Sequence, residues 1–535
     1  MGGGPIGQPR MKRRQFLDMG LPTSRAFRYA NPMICPYALF WQKRACALFL
    51  LCVATANALP AQTFTTLVNF DGTANGSYPQ SALVQATNGD FYGTTLQGGA
   101  YANCPGGCGT IFKITRLGKL TTLHSFCAVA NCPDGDSPLS GLIQANDGNF
   151  YGTTVNGGAS ANCSSGVGFF GCGTVFKMTP GGKVTTLHSF DSTDGAFPIS
   201  GLVQAPNGDF YGTTSEGGSS NDCNGYVGCG TVFKITPGGT LTTLHSFDST
   251  DGAFPVGTLL HATNGDLYGT TEYGGANDVC GVNLIGCGTV FKITSTGTLT
   301  TLHNFDSTDG TFPVGALVQA TNGDIYGTTS YGGANDACGV NPIGYGTVFK
   351  MTPNRTLTTL HSFDGADGQL PYAGLVQATN GLLYGTTFYE GGTNGYGEIY
   401  SISVSGTFTT VYSFGGINGA QPYAVLLQGT DGDFYGTTLY GGINGYGTIF
   451  SLSVGLGPFV TTLPTSGKVG AFVKILGSNL TGATSVIFNG TAATFTVVSS
   501  SLITTTVPAG ATTGKVQVVT PSGTLSSNVR FRVMP

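Results

Sequence analysis

One tetrapeptide recurs seven times. Tyr-Gly-Thr-Thr begins at Tyr92, Tyr151, Tyr211, Tyr268, Tyr326, Tyr384 and Tyr435, at spacings of 59, 60, 57, 58, 58 and 51 residues. A period this long marks a propeller, a solenoid or an array. Within the third copy, four short strand-like runs are separated by turn residues: D (184–190), A (201–205), B (210–214) and C (230–236). Asn207-Gly208-Asp209 joins A to B, and Asn-Gly between short β runs is a strong hairpin signal. Pro237-Gly238-Gly239 joins C to the next D. Four antiparallel strands repeated seven times predict an all-β fold, a seven-bladed β-propeller over residues 62–455. The repeats open on a D run (63–70) and finish on a C run (447–452). Pairing the two would close the ring without a free edge. A β-solenoid is the alternative, and it would call for distinct end caps. Phe459-Val-Thr-Thr-Leu463 reads either as an eighth D run or as the opening of the next domain.

The pattern Leu-Val-Gln-Ala-x-Asn-Gly-Asp-Phe-Tyr-Gly-Thr-Thr, then Gly-Gly, Gly-Thr-Val-Phe-Lys and Leu-Thr-Thr-Leu-His-Ser-Phe, resembles the GloVer tandem repeat of bacterial exported proteins. It covers about residues 62–455, and the resemblance brings no catalytic residues with it. Copies six and seven depart from it, with Ser401 and Ser451 where the other copies have Lys. The stretches 464–467, 473–480, 486–490, 506–510 and 516–523 alternate apolar positions between Gly, Pro and Asn, which predicts a small β-sandwich. Residues 457–535 resemble IPT/TIG domains of the immunoglobulin-like class, and this resemblance implies a spacer or binding module.

Composition sets the outer bounds. Gly is 87 of 535 residues and charged residues are 9%, against about 25% in an ordinary globular protein. Hydrophobic residues at 40% exclude a disordered chain, and Gly without a three-residue period excludes collagen. The leader, 1–61, carries a secretory signal whose apolar core is 45–56. Lys43 and Arg44 precede the core, and Ala56, Ala58 and Ala61 follow it. The run is too short to span a bilayer comfortably, and cleavage is expected after Ala58 or Ala61. Arg13-Arg14 resembles a twin-arginine signal, but no apolar run follows it directly. The leader holds eight of the 22 basic and one of the 26 acidic residues. The mature chain is thus 14 basic against 25 acidic, a net −11, which argues against nucleic acid as a partner. The mature chain is expected to be secreted or at the cell surface, with no transmembrane segment.

Cysteines follow the repeat. Cys104/Cys108, Cys163/Cys172, Cys223/Cys229 and Cys280/Cys287 lie between B and C of successive copies, and Cys127/Cys132 in one D–A connection. In an exported chain these read as disulfides. Cys338 is left over, its partner position being Tyr345. Zinc wants four clustered ligands, and two cysteines per blade on separate blades are not expected to converge.

In an A-B-C-D blade the B–C and D–A connections emerge on one face, so the long, stapled loops share the surface where binding usually resides. Tyr226, Tyr273, Tyr331 and Tyr389 offer stacking surfaces there. The pairs Asp191/Asp194, Asp248/Asp251, Asp306/Asp309 and Asp364/Asp367 lie in D–A connections. They supply oxygens of the kind Ca²⁺ takes, or form turns in which Asp bonds its own backbone. Apart from Ca²⁺ no cofactor is expected. His124, His188, His245, His303 and His361 repeat at one D-strand position and so read as structural, because catalysis needs a unique constellation. His261 replaces a Gln found in other copies. Glu216 and Glu272 open neighbouring B–C loops and are the catalytic candidates, since glycosidases use paired carboxylates about 5–10 Å apart. The expected function is recognition or adhesion toward an extracellular polysaccharide or a surface protein. The alternatives are a polysaccharide-degrading hydrolase or lyase and a structural envelope component.

Overall fold

The computed structural model describes residues 62–160, 162–163, 171–220, 223, 228–277, 286–334, 344–391 and 395–535. The leader and its signal segment fall outside them. All regular elements among the described residues are β-strands, and the repeats form seven four-stranded antiparallel sheets. The third sheet orders Val203–Gln204, Phe210–Thr214, Thr231–Ile235 and Leu241–Ser246. Strand A is shorter than its sequence run. Gly201 N–H turns sideways to Thr258 Oγ1 of the neighbouring sheet, and Ala205 N–H closes the hairpin on Asp209 O.

The first run of the repeats does not start a sheet of its own. Thr63–Asn69 pairs antiparallel with Thr448–Ser453, placing Phe64 opposite Leu452 and Asn69 opposite Thr448. The last repeat therefore takes its fourth strand from the beginning of the described chain. Phe70, Phe91, Phe112, Tyr435 and Ile449 then share one core cluster, which packs the seventh sheet on the first.

The tetrapeptide is explained by what each residue touches. Its Tyr packs against the residue that opens strand B of the next sheet where that residue is aromatic: Tyr92 on Phe150 at 4.2 Å, Tyr151 on Phe210 at 4.1 Å, Tyr384 on Phe434 at 4.3 Å and Tyr435 back onto Phe91 at 4.1 Å. The other three sheets open strand B on Leu267, Ile325 and Leu383. Its Gly leaves room for two side chains. A Cβ on Gly212 would lie 2.6 Å from Phe233 and 2.9 Å from Leu202. The first Thr reaches the next sheet, as in Thr213 Oγ1 to Pro255 O at 3.1 Å. The second pairs with strand C, as in Thr214 Oγ1 to Thr231 Oγ1 at 2.8 Å.

A glutamine latch joins neighbouring sheets on the short-turn side. The Oε1 atoms of Gln85, Gln144, Gln204, Gln319, Gln377 and Gln428 accept from the backbone N–H of Thr430, Thr87, Asn146, Thr263, Thr321 and Thr379 at 2.8–3.0 Å. The seventh junction has His261 in place of Gln and Pro206 in place of the donor. Proline carries no N–H, so a glutamine here would have nothing to accept. The junction is instead a cleft lined by Pro206, Asn207, Tyr211, His261, Arg532 and Met534. Burial and the nearby Arg532 guanidinium hold the His261 imidazole below its usual range. Installing Pro206→Thr together with His261→Gln should build the missing latch and raise stability by about 1 kcal/mol. Neither change alone should do so, and a double-mutant cycle measured by denaturation checks the coupling.

Beyond the repeats, Thr461–Leu463 pairs with Phe472–Leu476, so the 459–463 run opens the following unit and is not an eighth D strand. Two four-stranded antiparallel sheets follow. Val473, Ile475 and Ile503 from one, and Val486, Phe488, Val516 and Val518 from the other, form a single core. This unit meets the short turns of the repeats. Arg116 donates to Ser478 Oγ at 2.8 Å, Asn528 to Gln377 O at 2.8 Å and Ser501 to Thr87 O at 3.2 Å. Its seat is thus at the end opposite the long loops. Among the described residues no helix is long and apolar enough to cross a membrane.

Candidate functional site

Long connections do meet at one end. Isolated bridges join the D–A and B–C connections within each repeat: Ser77 with Gln97, Asp136 with Asn156, Ala196 with Glu216, Ala253 with Tyr273, Thr311 with Tyr331, Gln369 with Tyr389 and Ala420 with Tyr440. Each is followed by a residue held at positive φ before a proline, including Phe197 (φ 55°), Phe254 (58°) and Phe312 (54°). Bulky residues rarely adopt this conformation, and here the surrounding bridge and proline enforce it.

At this end the tyrosines of different repeats gather around one carboxyl. Glu272 is buried, and burial pushes its pKa up to about 7, against a smaller lowering by the hydrogen bond from Tyr273. The Tyr372 and Tyr423 rings lie 5.4 Å apart, and the Glu272 charge helps burial to raise both phenols, Tyr423 to about 12. Tyr372 also hydrogen-bonds Tyr331, in a sense that keeps its own proton in place. The aromatic contacts continue outward: Tyr372 to Phe388 at 5.2 Å, Phe388 to Tyr389 at 4.6 Å and Tyr273 to Phe312 at 4.9 Å. Tyr273, Tyr331 and Tyr389, singled out from the sequence, therefore belong to one cluster, with Tyr389 38% exposed at its margin. Tyr226 lies outside the described residues. The sequence reading missed Tyr372 and Tyr423. Their signal was Pro-Tyr after the D–A turn, which only these two repeats carry; the others have Gln80, Leu139, Ile199, Val256 and Val314 there.

The two candidate glutamates occupy successive positions in the repeat. Glu216 corresponds to Tyr273, both being the bridge partners of the D–A segment, while Glu272 corresponds to Ser215. Successive residues of an extended segment point to opposite sides, so the two carboxylates are not set as an equivalent pair. Glu272 stands alone in this role. It is a buried carboxyl set among phenols, with its pKa pushed up to about 7.

The aspartates of the D–A connections are committed to their own loops. Asp191 Oδ1 accepts from Thr193 N–H, Thr193 Oγ1–H and Asp194 N–H, and Asp194 Oδ1 accepts from Asp191 N–H. Asp194 Oδ2 pairs with His188 Nε2 at 2.7 Å. The same arrangement holds for His245–Asp251, His303–Asp309 and His361–Asp367, each at 2.7 Å, with Asp248, Asp306 and Asp364 at the loop start. Bonds from Thr193, Thr250 and Thr308 hold Asp191, Asp248 and Asp306 below the usual carboxylate range. These contacts make the loops self-satisfied turns, and they give the repeated histidine its structural partner.

Disulfides join Cys104–Cys108, Cys127–Cys132, Cys163–Cys172 and Cys223–Cys229 as expected. Cys287 is also disulfide-bonded, while Cys280 and Cys338 lie outside the described residues. One expectation fails. The pairs Cys104/Cys108 and Cys127/Cys132 do converge, with all four Sγ atoms within 4.8 Å of one another. The D–A connection following a repeat folds back beside that repeat's own B–C loop, which the linear separation conceals.

Two kinds of staple hold the loops. Cys108, Cys172, Cys229 and Cys287 occupy the position taken by Tyr345, Tyr396 and Tyr446 in the last three repeats. After three of the cysteines the next D–A loop has Ser192, Ser249 or Ser307 at positive φ. After the tyrosines it has Gly365, Gly416 or Gly72, each beneath the tyrosine ring. A Cβ on Gly72, at φ +76°, would lie 2.9–3.1 Å from Tyr446 ring carbons. Gly72→Ala should cost about 1–3 kcal/mol by overpacking and backbone strain. Much of that loss should vanish in a Tyr446→Ala background, as thermal denaturation of the four proteins would show.

The Gloeobacter/Verrucomicrobia repeat matches the chain over residues 54–223, 161–343 and 337–519. The chain belongs to this repeat family. No curated protein matches it in sequence. Among solved structures, a fungal alcohol oxidase of the AA5 family in complex with copper is similar over 88% of this chain and 99% of its own, at 12% identity and a TM-score of 0.47. A putative 6-phosphogluconolactonase from Bacteroides uniformis is similar over 61% and 84%, at 15% identity and a TM-score of 0.40. For a putative gluconolactonase the figures are 53%, 82%, 13% and 0.32.

Proposed function

We propose that this is a secreted or cell-surface recognition protein: a seven-bladed β-propeller with a C-terminal immunoglobulin-like module, binding extracellular carbohydrate at its long-loop end. The observation that carries the reading is the gathering of Tyr273, Tyr372 and Tyr423 from different repeats around Glu272, with Tyr331 bonded to Tyr372 and Tyr389 at the margin against Phe388. Aromatic faces beside hydroxyls and a buried carboxyl suit a sugar, whose C–H face stacks on rings while its hydroxyls need donors and acceptors. The D–A carboxylates take part in their own turns, so binding is independent of Ca²⁺. A polysaccharide and glycan binding screen on the purified chain, with calcium and again with EDTA, tests this. Binding that survives EDTA and falls at least about tenfold in Tyr389→Ala and Tyr331→Ala supports it. Failure of every glycan, or binding untouched by both substitutions, sinks it.

A second reading rests on Glu272 alone. A carboxyl with a pKa of about 7 is suited to general-acid work near neutral pH. Release of reducing ends from a bound glycan, abolished in Glu272→Gln, would move the assignment from recognition to hydrolysis.

A further inference from the structure

Four cysteine sulfurs stand together in the first repeat. Cys104 and Cys108 come from its B–C connection, and Cys127 and Cys132 from the D–A connection that follows. All four side chains are buried, at 8% exposure or less. Cys104 Sγ and Cys132 Sγ are not bonded to each other, yet lie 3.8 Å apart. The edge of a tetrahedral ZnS₄ centre, with Zn–S about 2.3 Å, is about 3.8 Å. With all four sulfurs within 4.8 Å, converging them on one ion asks the unbonded pairs to close by about 1 Å at most, while the bonded pairs open.

The local sequence departs from the other repeats in a way that a loop staple alone does not require. Cys163–Cys172 and Cys223–Cys229 each hold a B–C loop with a single pair. Here a second pair is added on the facing loop. Cys127 stands where the later repeats have Asp191, Asp248, Asp306 and Asp364, and four extra residues separate it from the aspartate that pairs with histidine. That aspartate, Asp134, keeps both its roles: it accepts from Cys127 N–H and pairs with His124 at 2.9 Å. The insertion thus brings Cys132 over Cys104 without disturbing the turn beneath it.

We propose that this cluster has two states, two disulfides when oxidised and a tetrathiolate site for Zn²⁺ when reduced. Two equivalents of a dithiol reductant would supply four electrons and four protons, breaking both S–S bonds and leaving as two disulfides. Zn²⁺ then forms four Zn–S bonds and releases the four thiol protons to solvent. The reaction conserves the loop closure, because the metal ties together the same two connections that the disulfides tie in pairs.

The test uses the full chain, reduced with dithiothreitol, desalted without oxygen and titrated with Co²⁺ and then Zn²⁺. One equivalent of Co²⁺ with the charge-transfer and visible bands of tetrahedral thiolate cobalt is expected, displaced by Zn²⁺. The double substitution Cys127→Ser and Cys132→Ser should abolish this binding, while Cys163→Ser with Cys172→Ser should retain it. No tetrahedral spectrum, or the same binding in both variants, overturns the proposal. Near-ultraviolet circular dichroism of each oxidised protein establishes that it is folded. If reduction unfolds the metal-free chain, Zn²⁺ must restore the wild-type spectrum and not that of the Cys127/Cys132 variant. Failure of that restoration also overturns it.

Discussion

Phe70→Ala is expected to lower stability by about 3–5 kcal/mol, the cost of emptying a phenylalanine site in a packed core. Phe70 lies at the very start of the described chain, where a substitution would ordinarily matter little. It is nevertheless fully buried, its N–H donates to Gly447 O, and its ring lies 5.6 Å from that of Phe112. Those contacts exist because the segment 63–69 is the fourth strand of the last repeat's sheet. The substitution therefore reads out the closure itself. Thr63→Ala, on the exposed side of the same strand, should stay within about 0.5 kcal/mol. Equal, small effects at both positions in chemical denaturation would mean that the first strand is not docked.

The second large effect is one of pH. Glu272→Gln is expected to stabilise the protein at pH 8 by up to roughly 3 kcal/mol and to leave it nearly unchanged at pH 4. Burial raises the folded carboxyl to about 7, while the unfolded chain has the ordinary 4.5. Between these values the folded state holds a proton that the unfolded state has released. The contribution is therefore fully present below about pH 4.5 and is lost as pH rises through 7. Glutamine is neutral throughout, so it removes the dependence. A difference between wild type and variant that does not change from pH 4 to pH 8 would show that Glu272 is not buried as the structure has it.

The repeat's β character, its four-strand content, its turns and the pairing of first run with last were legible in the sequence. Periodicity and turn chemistry are local, and seven copies average out the noise of any one. Strand A is shorter than its sequence run because Gly201 bonds to Thr258 of the next repeat, which a single repeat does not reveal, and Ala205 closes the turn on Asp209. The repetition of the histidines marks them as structural, but their aspartate partners are not legible in it: a His and an Asp six residues apart meet only because the D–A turn folds back.

The tyrosine cluster shows where local reading stops. Tyr273, Tyr331 and Tyr389 were visible as loop tyrosines, whereas Tyr372 and Tyr423 follow a proline on a different connection. Their meeting with Glu272 depends on several sheets being packed in sequence, and so on contacts between residues about 50 to 150 positions apart. The four cysteines make the same point at shorter range.

By itself the sequence determined what each repeat is: four short strands, their order and the turns between them. Those depend on backbone preference and on neighbours within about sixty residues. Only the tertiary structure decided which side chains share a point in space. Burial, the pKa of Glu272 and the convergence of four sulfurs are properties of packing between segments, and packing is set by the arrangement of all the sheets together.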